Sequence, residues 1–330
     1  MRHPYNIDVN ACYGLLPDVR CYLSTTDVSG LNPSSIHYGG QRARVVVENA
    51  RESVRSLLKA DDKDRVVFTS GATEANNTVI LSLLLCGEKK GSIVTTAVEH
   101  PSVLAPMRLL KKFGYEIIEV KPDRSGYITE DMVLERLRDD TILVSIMLAN
   151  NETGVIYPVG EIAKKIKSHA PHVLLHCDAA QAVGKIDVNF QSLHVDALTM
   201  SGHKIGSLTG VGALVWRYDA DICSMIYGGE QEYGCRAGTE NVTGIATLGV
   251  ACDCVRESFS VRIDTMRRNR DLLLSLLSSS LHGITVHCEG VERLPNTLNI
   301  AIHGINGQDL VAALDLEGVY ISSGSACSSG

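Results

Sequence analysis

The sequence predicts an α/β protein with a largely parallel β-sheet covered by helices on both faces. From about residue 40 to 216, short β-branched runs alternate with helical patterns, an order typical of such sheets. The 330 residues are enough for one large domain and a smaller one. A hydrophobic content of 45% with 21% charged residues is ordinary for a globular protein and argues against a disordered chain.

Seven strands are predicted for this sheet from apolar runs bounded by turn-forming residues. They are Arg65–Thr69, Ser92–Thr96, Tyr115–Val120, Ile142–Leu148, Val173–Cys177, Ala197–Met200 and Gly212–Trp216. Apolar residues at helical spacing predict the helices Arg42–Lys59, Thr73–Leu85 and His100–Phe113. In such a sheet we expect functional residues where strands end and loops begin.

The pattern changes after Gly229, where two long helical patterns are followed by shorter elements. The predicted elements are the helices Thr239–Ser258 and Arg262–Leu281, the strands Ile284–Val286 and Thr297–Ile302, the helix Gly307–Leu316 and the strand Val319–Ile321. This order is typical of a smaller α+β unit. We expect residues 13–250 to form the large domain, and residues 1–12 with 251–330 to form the small domain.

Composition and charge exclude several classes of protein. The net charge of −7 provides no basic surface for nucleic acid, and no apolar stretch approaches the roughly 20 residues of a membrane span. The first residues, Met1–Pro4, lack the apolar region of a secretory signal. We expect a cytoplasmic protein that binds neither nucleic acid nor membranes.

The ten cysteines are scattered and form no Cys-x-x-Cys pair. Several, such as Cys86 and Cys177, lie in apolar runs, so we expect them to act as small hydrophobic side chains and not as a disulfide framework. Cys252 and Cys254 are two residues apart in a helical pattern and point to different faces, which argues against a zinc site. No metal site is expected.

The segment Thr69–Asn77 combines a strand end, a glycine and a helix start. Gly71 permits a tight turn, and Ala72 and Thr73 open a helix whose unpaired N–H groups can bind a phosphate. The hydroxyl of Thr73 can add a hydrogen bond. An ordinary helix start, capped by Ser70 or Thr73, is the alternative.

The segment Ser201–Lys204 directly follows another predicted strand. A lysine shielded from water at a strand end has a lowered pKa and can form a Schiff base with an aldehyde. Ser201 and His203 can bind the same phosphate as Thr73. A surface lysine on a loop is the alternative.

Asp178 also follows an apolar strand, so it emerges at the same edge of the sheet. A partly buried carboxylate needs a cationic partner. A protonated pyridine nitrogen is such a partner, and the pairing strengthens the ring as an electron sink. Gln181 can reach the phenolic oxygen of the ring. A phosphate cradle, a carboxylate and a lysine, in this order at strand ends, indicate a site for pyridoxal 5'-phosphate (PLP).

Eight motifs resemble, in order, those of the cysteine desulfurases of the class-V aminotransferase-like family. They are Asn32–Ser35, Thr69–Glu74, Glu99–His100, Asn150–Gly154, Asp178–Gly184, Ser201–Lys204, Arg236–Asn241 and Ser322–Cys327. The resemblance runs from about residue 6 to the last residue. It implies the type I fold of PLP-dependent enzymes related to aspartate aminotransferase, with a mostly parallel, seven-stranded sheet in the large domain.

The resemblance also implies roles for the site residues. Lys204 binds the cofactor covalently. His100 stacks on the ring and moves protons, while its place at a helix start also suits a simple cap. Asp178 pairs with the pyridine nitrogen and Gln181 with the phenolic oxygen. The other implied cofactor-binding residues are Ala72, Thr73, Asn151, Ser201 and His203, with Thr239 from the other subunit of a homodimer.

The motif that ends in Cys327 implies the reaction. A nucleophilic thiol needs exposure and mobility, and the polar stretch Ser322–Gly330 favours both; a terminal cysteine without a role is the alternative. By resemblance, Lys204 removes a proton from L-cysteine, Cys327 takes the sulfur as a persulfide, L-alanine leaves, and a sulfur-acceptor protein receives the sulfur. The motif is similar to that of desulfurases with a mobile cysteine loop. Motifs such as Arg293–Thr297 also resemble selenocysteine lyases, which stay open as an alternative.

Three features depart from the family pattern. Asp8–Cys12 matches the N-terminal motif of the family loosely, and Gly206–Gly210 replaces the residues that usually follow the lysine. Members of the family continue beyond the position of Cys327 and supply an arginine that binds the substrate carboxylate, and no residue here matches it. We therefore expect a small domain that is incomplete at its C-terminus. A non-catalytic or partner-dependent subunit of the same fold stays open as an alternative.

Overall fold

The computed structural model describes residues 5–86 and 90–324. The strands are β1 (Tyr5–Asn6), β2 (Arg65–Thr69), β3 (Ser92–Thr96), β4 (Glu116–Val120), β5 (Thr141–Met147), β6 (Leu174–Asp178), β7 (Ala197–Ser201), β8 (Gly212–Trp216), β9 (Ile284–Val286), β10 (Ile300–Ile302) and β11 (Val319–Tyr320). The α-helices are α1 (Pro17–Thr25), α2 (Tyr38–Leu58), α3 (Ala72–Leu85), α4 (Pro101–Lys112), α5 (Glu130–Leu134), α6 (Val159–His169), α7 (Val242–Glu257), α8 (Phe259–Ser280) and α9 (Gly307–Leu316).

Strands β2 to β8 form the central sheet, in the order β2-β8-β7-β6-β5-β3-β4. From β4 to β7 all neighbours are parallel, whereas β8 is antiparallel to both β2 and β7. Asp178, the last residue of β6, pairs with Thr199 of β7, which ends two residues later at Ser201. The carboxyl ends of these two strands therefore lie side by side. The predicted seven-stranded, mostly parallel sheet is confirmed.

Helices cover both faces of the sheet. On one face α2 packs closely against α7. The absence of a side chain at Gly249 permits this contact, since a Cβ there would lie only 2.7 Å from the Cα of Ala50. On the other face α3 and α4 pack together through Ile80, Val103 and Met107. Because both faces are covered, every residue of β3, β7 and β8 is buried.

The chain after Gly229 contains the predicted small elements, and β9 and α9 have the predicted bounds. β9 pairs antiparallel with β10, and β1 pairs parallel with β11. The sequence prediction has no counterpart of α1, α5 or α6. The division into two domains stays a prediction. Among the helices of the described residues, none is long and apolar enough to cross a bilayer.

The cysteines contradict one prediction, since Cys86 at the end of α3 and Cys223 after β8 form a disulfide. The two residues are 137 positions apart, so no local spacing in the sequence indicates the pair. The carboxylate of Asp221 lies within 4.8 Å of both sulfur atoms.

Cys86 also lines a cavity of about 540 Å³ with Leu174, at the amino end of β6. This cavity is therefore at the opposite edge of the sheet from Asp178.

Candidate active site

The predicted aspartate and lysine lie at the adjacent ends of β6 and β7. Asp178 is the last residue of β6, and the 3-10 helix Gly202–Lys204 begins directly after Ser201, the last residue of β7. Asp178 and Lys204 are each only 6% exposed. The lysine is therefore not the surface residue that the sequence left open as an alternative.

The start of α3 lies beside β8. Its N-cap residue is Gly71, whose φ of 150° is readily adopted only by glycine. No side chain caps the helix, so neither Ser70 nor Thr73 has the capping role that the sequence left open. Gly212 of β8 is so close that a Cβ there would lie 2.8 Å from the Cα of Gly71. The first turn, with Ala72 and Thr73, therefore presents backbone N–H groups that can bind an anion.

The N-terminal segment covers the lysine. The Lys204 ammonium donates hydrogen bonds to the carbonyls of Asn10 and Ala11, the second at 2.8 Å. The Asn10 side chain donates through Nδ2 to the hydroxyl of Thr297 at 3.0 Å and to the carbonyl of Asn151 at 3.4 Å. Asn10 thus links the predicted site to residues far along the chain, and sequence reasoning missed it.

Gln181 forms a hydrogen-bonded cluster with Lys185, which is fully buried. Gln181 Nε2 donates to the carbonyl of Asn10 at 3.0 Å, and Gln181 Oε1 accepts from Lys185 Nζ at 2.7 Å. Burial, and then the charges of Lys204 and Arg262, lower the pKa of Lys185 to about 7. The sequence analysis assigned no role to Lys185.

Two neighbouring groups fix the Asp178 carboxylate. Its Oδ2 accepts from Nδ2 of Asn76 at 2.7 Å, and its Oδ1 accepts from the backbone N–H of Ala180 at 2.9 Å. Asn76 is fully buried on α3 and also donates to the Ser102 hydroxyl at 2.9 Å. Asn76 was not identified from the sequence, although it lies inside the motif at the start of α3.

His100 is the N-cap residue of α4, so the capping role considered from the sequence is present. Its Nδ1 accepts from the backbone N–H of Ser102 at 3.1 Å, so the neutral ring carries its proton on Nε2. Burial lowers the pKa of His100, the Asp178 carboxylate opposes this effect, and the charge of Lys204 adds to it. The net lowering favours a neutral imidazole at neutral pH, which can donate or accept a proton.

Ser201 and His203 flank the lysine. The Ser201 hydroxyl lies 3.0 Å from Nδ1 of His203. Burial, and then the charges of Lys204 and Lys185, lower the pKa of His203 to about 4. At neutral pH both side chains are therefore neutral hydrogen-bonding groups.

Two buried titratable groups adjoin the site. Burial raises the pKa of Glu99 to about 8, against two hydrogen bonds that favour its ionised form and with a further contribution from the Asp178 charge. Burial lowers the pKa of His176 to about 4, and its ring nitrogens lie 2.8 and 3.1 Å from the hydroxyls of Ser145 and Thr199. Both groups are therefore mainly neutral at pH 7.

Two ion pairs hold the loop before Thr239. Glu232 forms a two-pronged pair with Arg51 of α2, with both N···O distances 2.9 Å. Arg236 pairs with Glu74 of α3 at 2.9 Å. Thr239 itself is exposed, and its role in the site of a second subunit stays a prediction.

Two predicted residues remain, Asn151 and Cys327. Asn151 is half-buried and contacts Asn10 through its carbonyl, while its role toward cofactor and substrate stays a prediction. Cys327 lies outside the described residues.

A family model described as aminotransferase class-V matches residues 20–329. The chain belongs to the class-V aminotransferase family.

Within this family the chain is similar to proteins named cysteine desulfurase. The cysteine desulfurase IscS of Dictyoglomus turgidum is 41% identical over 299 residues, which are 90% of this chain and 75% of the relative. A cysteine desulfurase of a Nostoc species is 41% identical over 329 residues, which are 98% of this chain and 80% of the relative. A solved structure named NifS-like protein has a TM-score of 0.91 at 32% identity and covers 98% of this chain and 88% of its own. The predicted resemblance and the predicted type I fold of PLP-dependent enzymes are confirmed.

Proposed function

We propose that this chain is a cysteine desulfurase, which converts L-cysteine to L-alanine and leaves the sulfur as a persulfide on Cys327. The observation that carries the proposal is the burial of Asp178 and Lys204 at adjacent strand ends, next to a helix start without a side-chain cap. The similarity to proteins named cysteine desulfurase supports the choice of substrate.

The residues present fit PLP. The first turn of α3 can hold the phosphate, together with Ser201 and His203. Asp178, held by Asn76, can pair with a pyridinium nitrogen. Lys185 has no carboxylate partner within residues 5–86 and 90–324, and a buried site with excess positive charge suits an anionic cofactor. When bound, PLP supplies the electron sink that weakens the Cα–H and Cβ–S bonds of the substrate.

The chain's own residues bind, orient and move protons. Lys204 is the amine that binds the cofactor aldehyde, and it carries the Cα proton of the substrate. The carbonyls of Asn10 and Ala11 hold its amino group when that group is free. His100, neutral and protonated on Nε2, exchanges protons at the edge of the site. The buried position of these groups keeps water from competing with them.

The sulfur step needs no outside oxidant or reductant. The Cys327 thiol attacks the substrate sulfur, so the substrate C–S bond breaks and an S–S bond forms. The electron pair of the C–S bond stays on carbon. Of the two thiol protons, one ends on the methyl group of alanine and the other stays with the persulfide. The proposal further includes a homodimer in which Thr239 serves the other subunit, a sulfur-acceptor protein, and a cytoplasmic location.

The test is incubation of the purified full chain with PLP and L-cysteine, followed by mass spectrometry for alanine and for a persulfide on Cys327. The wild type should become yellow on PLP binding and yield both products. Lys204→Ala should yield neither colour nor product. Cys327→Ser should keep the colour but release no sulfur, whereas Cys21→Ser, at an exposed cysteine, should match the wild type.

Three results would count against this function. A wild type that stays colourless with PLP excludes the cofactor site. A yellow protein that L-cysteine leaves unchanged favours the non-catalytic or partner-dependent alternative. Faster turnover of selenocysteine than of cysteine favours a selenocysteine lyase.

A further inference from the structure

Lys185, in the loop after β6, is a fully buried ammonium group with only neutral hydrogen-bond partners. Its Nζ donates to Gln181 Oε1 at 2.7 Å and to Asn10 Oδ1 at 3.1 Å. No carboxylate of the described ranges forms an ion pair with it. The ammonium form is costly to bury without a counter-charge, which is why its pKa falls to about 7, and an anion bound next to it would favour the charged form.

The surroundings of Lys185 increase this cost. The charges of Lys204, in the turn after β7, and of Arg262, on α8, act on Lys185, whereas His203 is a neutral neighbour whose own pKa is lowered by burial and then by Lys204 and Lys185. Two of these are cations, and they lower the pKa of Lys185. An anion that arrives in the site would relieve the repulsion, and the phenolic oxygen of PLP is such an anion.

Lys185 also determines which way the Gln181 amide faces. An ammonium group has donors and no acceptor, so the oxygen of the Gln181 amide must face Lys185. The NH2 group of Gln181 then points away from Lys185, and it donates to the carbonyl of Asn10 at 3.0 Å. This is the carbonyl that also accepts from Lys204. The NH2 group is thus directed toward the amine that binds the cofactor.

We propose that Lys185 is a positioning residue, which holds the Gln181 amide with its NH2 group toward the phenolic oxygen of the cofactor and favours the anionic form of that oxygen. The inference rests on the proposed function, because it requires PLP bound through Lys204. The chemistry itself does not pass through Lys185. Its effect is on the protonation of the bound cofactor.

The experiment measures the pH midpoint at which the visible band of the bound cofactor converts between its protonated and unprotonated forms. Lys185→Met removes both the donor and the charge, so the protonated form becomes more stable and the midpoint should rise by about one pH unit, the lower end of the effect of a nearby charge. Lys185→Gln keeps a donor for the Gln181 oxygen and should give a smaller rise. If the cofactor bound to the wild type stays unprotonated across the whole pH range, its protonated form should appear in Lys185→Met.

A double-mutant cycle tests whether Lys185 acts through Gln181. Gln181→Leu should raise the midpoint by itself, and adding Lys185→Met to it should raise the midpoint by less than in the wild-type background. Lys164→Met, at an exposed lysine of α6, makes the same change in net charge and should leave the midpoint unchanged.

The possible results separate this inference from the proposed function. A wild type without a visible band overturns the proposed function. A normal band with an unchanged midpoint in Lys185→Met and Lys185→Gln overturns only the role of Lys185. Should both Lys185 variants fail to fold, Gln181→Leu is the deciding variant. An unchanged midpoint in Gln181→Leu would show that Gln181 does not affect the protonation of the cofactor, and the role proposed for Lys185 would then be wrong.

Discussion

The buried pair of Glu232 and Arg51 allows a quantitative prediction for Glu232→Ala. Their side chains are 2% and 4% exposed. Glu232 accepts two hydrogen bonds from the Arg51 guanidinium at 2.9 Å, and a third from the backbone N–H of Phe68 at 2.8 Å. Burial by itself lowers the pKa of Arg51, but Glu232 and then Glu48 raise it above the ordinary value. The pair is therefore held together by compensation of its two charges.

Removing Glu232 leaves the guanidinium buried with Glu48, which is 51% exposed, as its remaining carboxylate partner. Breaking one side of a buried pair costs about 3–5 kcal/mol of unfolding free energy. The rings of Phe68 and Tyr233, each 4.9 Å from the guanidinium carbon, partly compensate through cation–π contacts. We therefore expect a loss of about 3 kcal/mol, near the lower end of the range for a broken buried pair.

The assay is urea unfolding followed by circular dichroism. Glu116→Ala is the control, because it breaks an exposed ion pair in which the Glu116 and Arg138 side chains are 56% and 50% exposed. This change should lower the unfolding free energy by under about 1 kcal/mol. The double variant Arg51→Met with Glu232→Leu removes both charges and should be more stable than Glu232→Ala. A loss for Glu232→Ala no larger than that for Glu116→Ala would refute the reasoning.

Two further predictions concern pH and redox state. Since the pKa of buried Glu99 is raised to about 8 from an ordinary 4.5, its stabilising effect is full below pH 4.5 and is lost as the pH rises through 8. Between pH 4.5 and 8 the urea midpoint of unfolding should therefore fall less in Glu99→Gln than in the wild type, and an unchanged pH profile would contradict this. Reducing the Cys86–Cys223 disulfide, which joins residues 137 positions apart, should lower the unfolding free energy by up to about 5 kcal/mol. Urea unfolding with and without reductant measures the loss, Cys223→Ser should not respond to reductant, and equal stability of wild type in both conditions would argue against the bond.

The strands of the central sheet were predictable because their signal is local. β2, β3 and β8 have the predicted bounds, since each is an apolar run between turn residues. α6 was missed, although Val159, Ile162, Ala163 and Ile166 form a buried stripe at helical spacing. Its signal was in the sequence. The antiparallel direction of β8 could not be predicted from the sequence, because the direction of strand pairing depends on contacts between distant segments.

The site divides in the same way. Asp178, Lys204 and the start of α3 were identified because each follows a strand, and parallel strands bring their ends together. Asn10 and Asn76 were missed because their contacts with the site are long-range, and Lys185 was missed although its contact with Gln181 spans only four positions. The Asn10 contacts with Lys185 and Thr297 span 175 and 287 positions. The disulfide was missed for the same reason.

The large sequence separation between Asn10 and its partners determines when its contacts can form during synthesis of the chain. Asn10 leaves the ribosome early, but the last of its partners, Thr297, follows 287 residues later. At ordinary rates of translation this interval is roughly 15–60 s. The strands of the central sheet end at Trp216, so they have all been made before the N-terminal segment can complete its contacts. The network of hydrogen bonds around Asn10 is therefore complete only when most of the chain has been made.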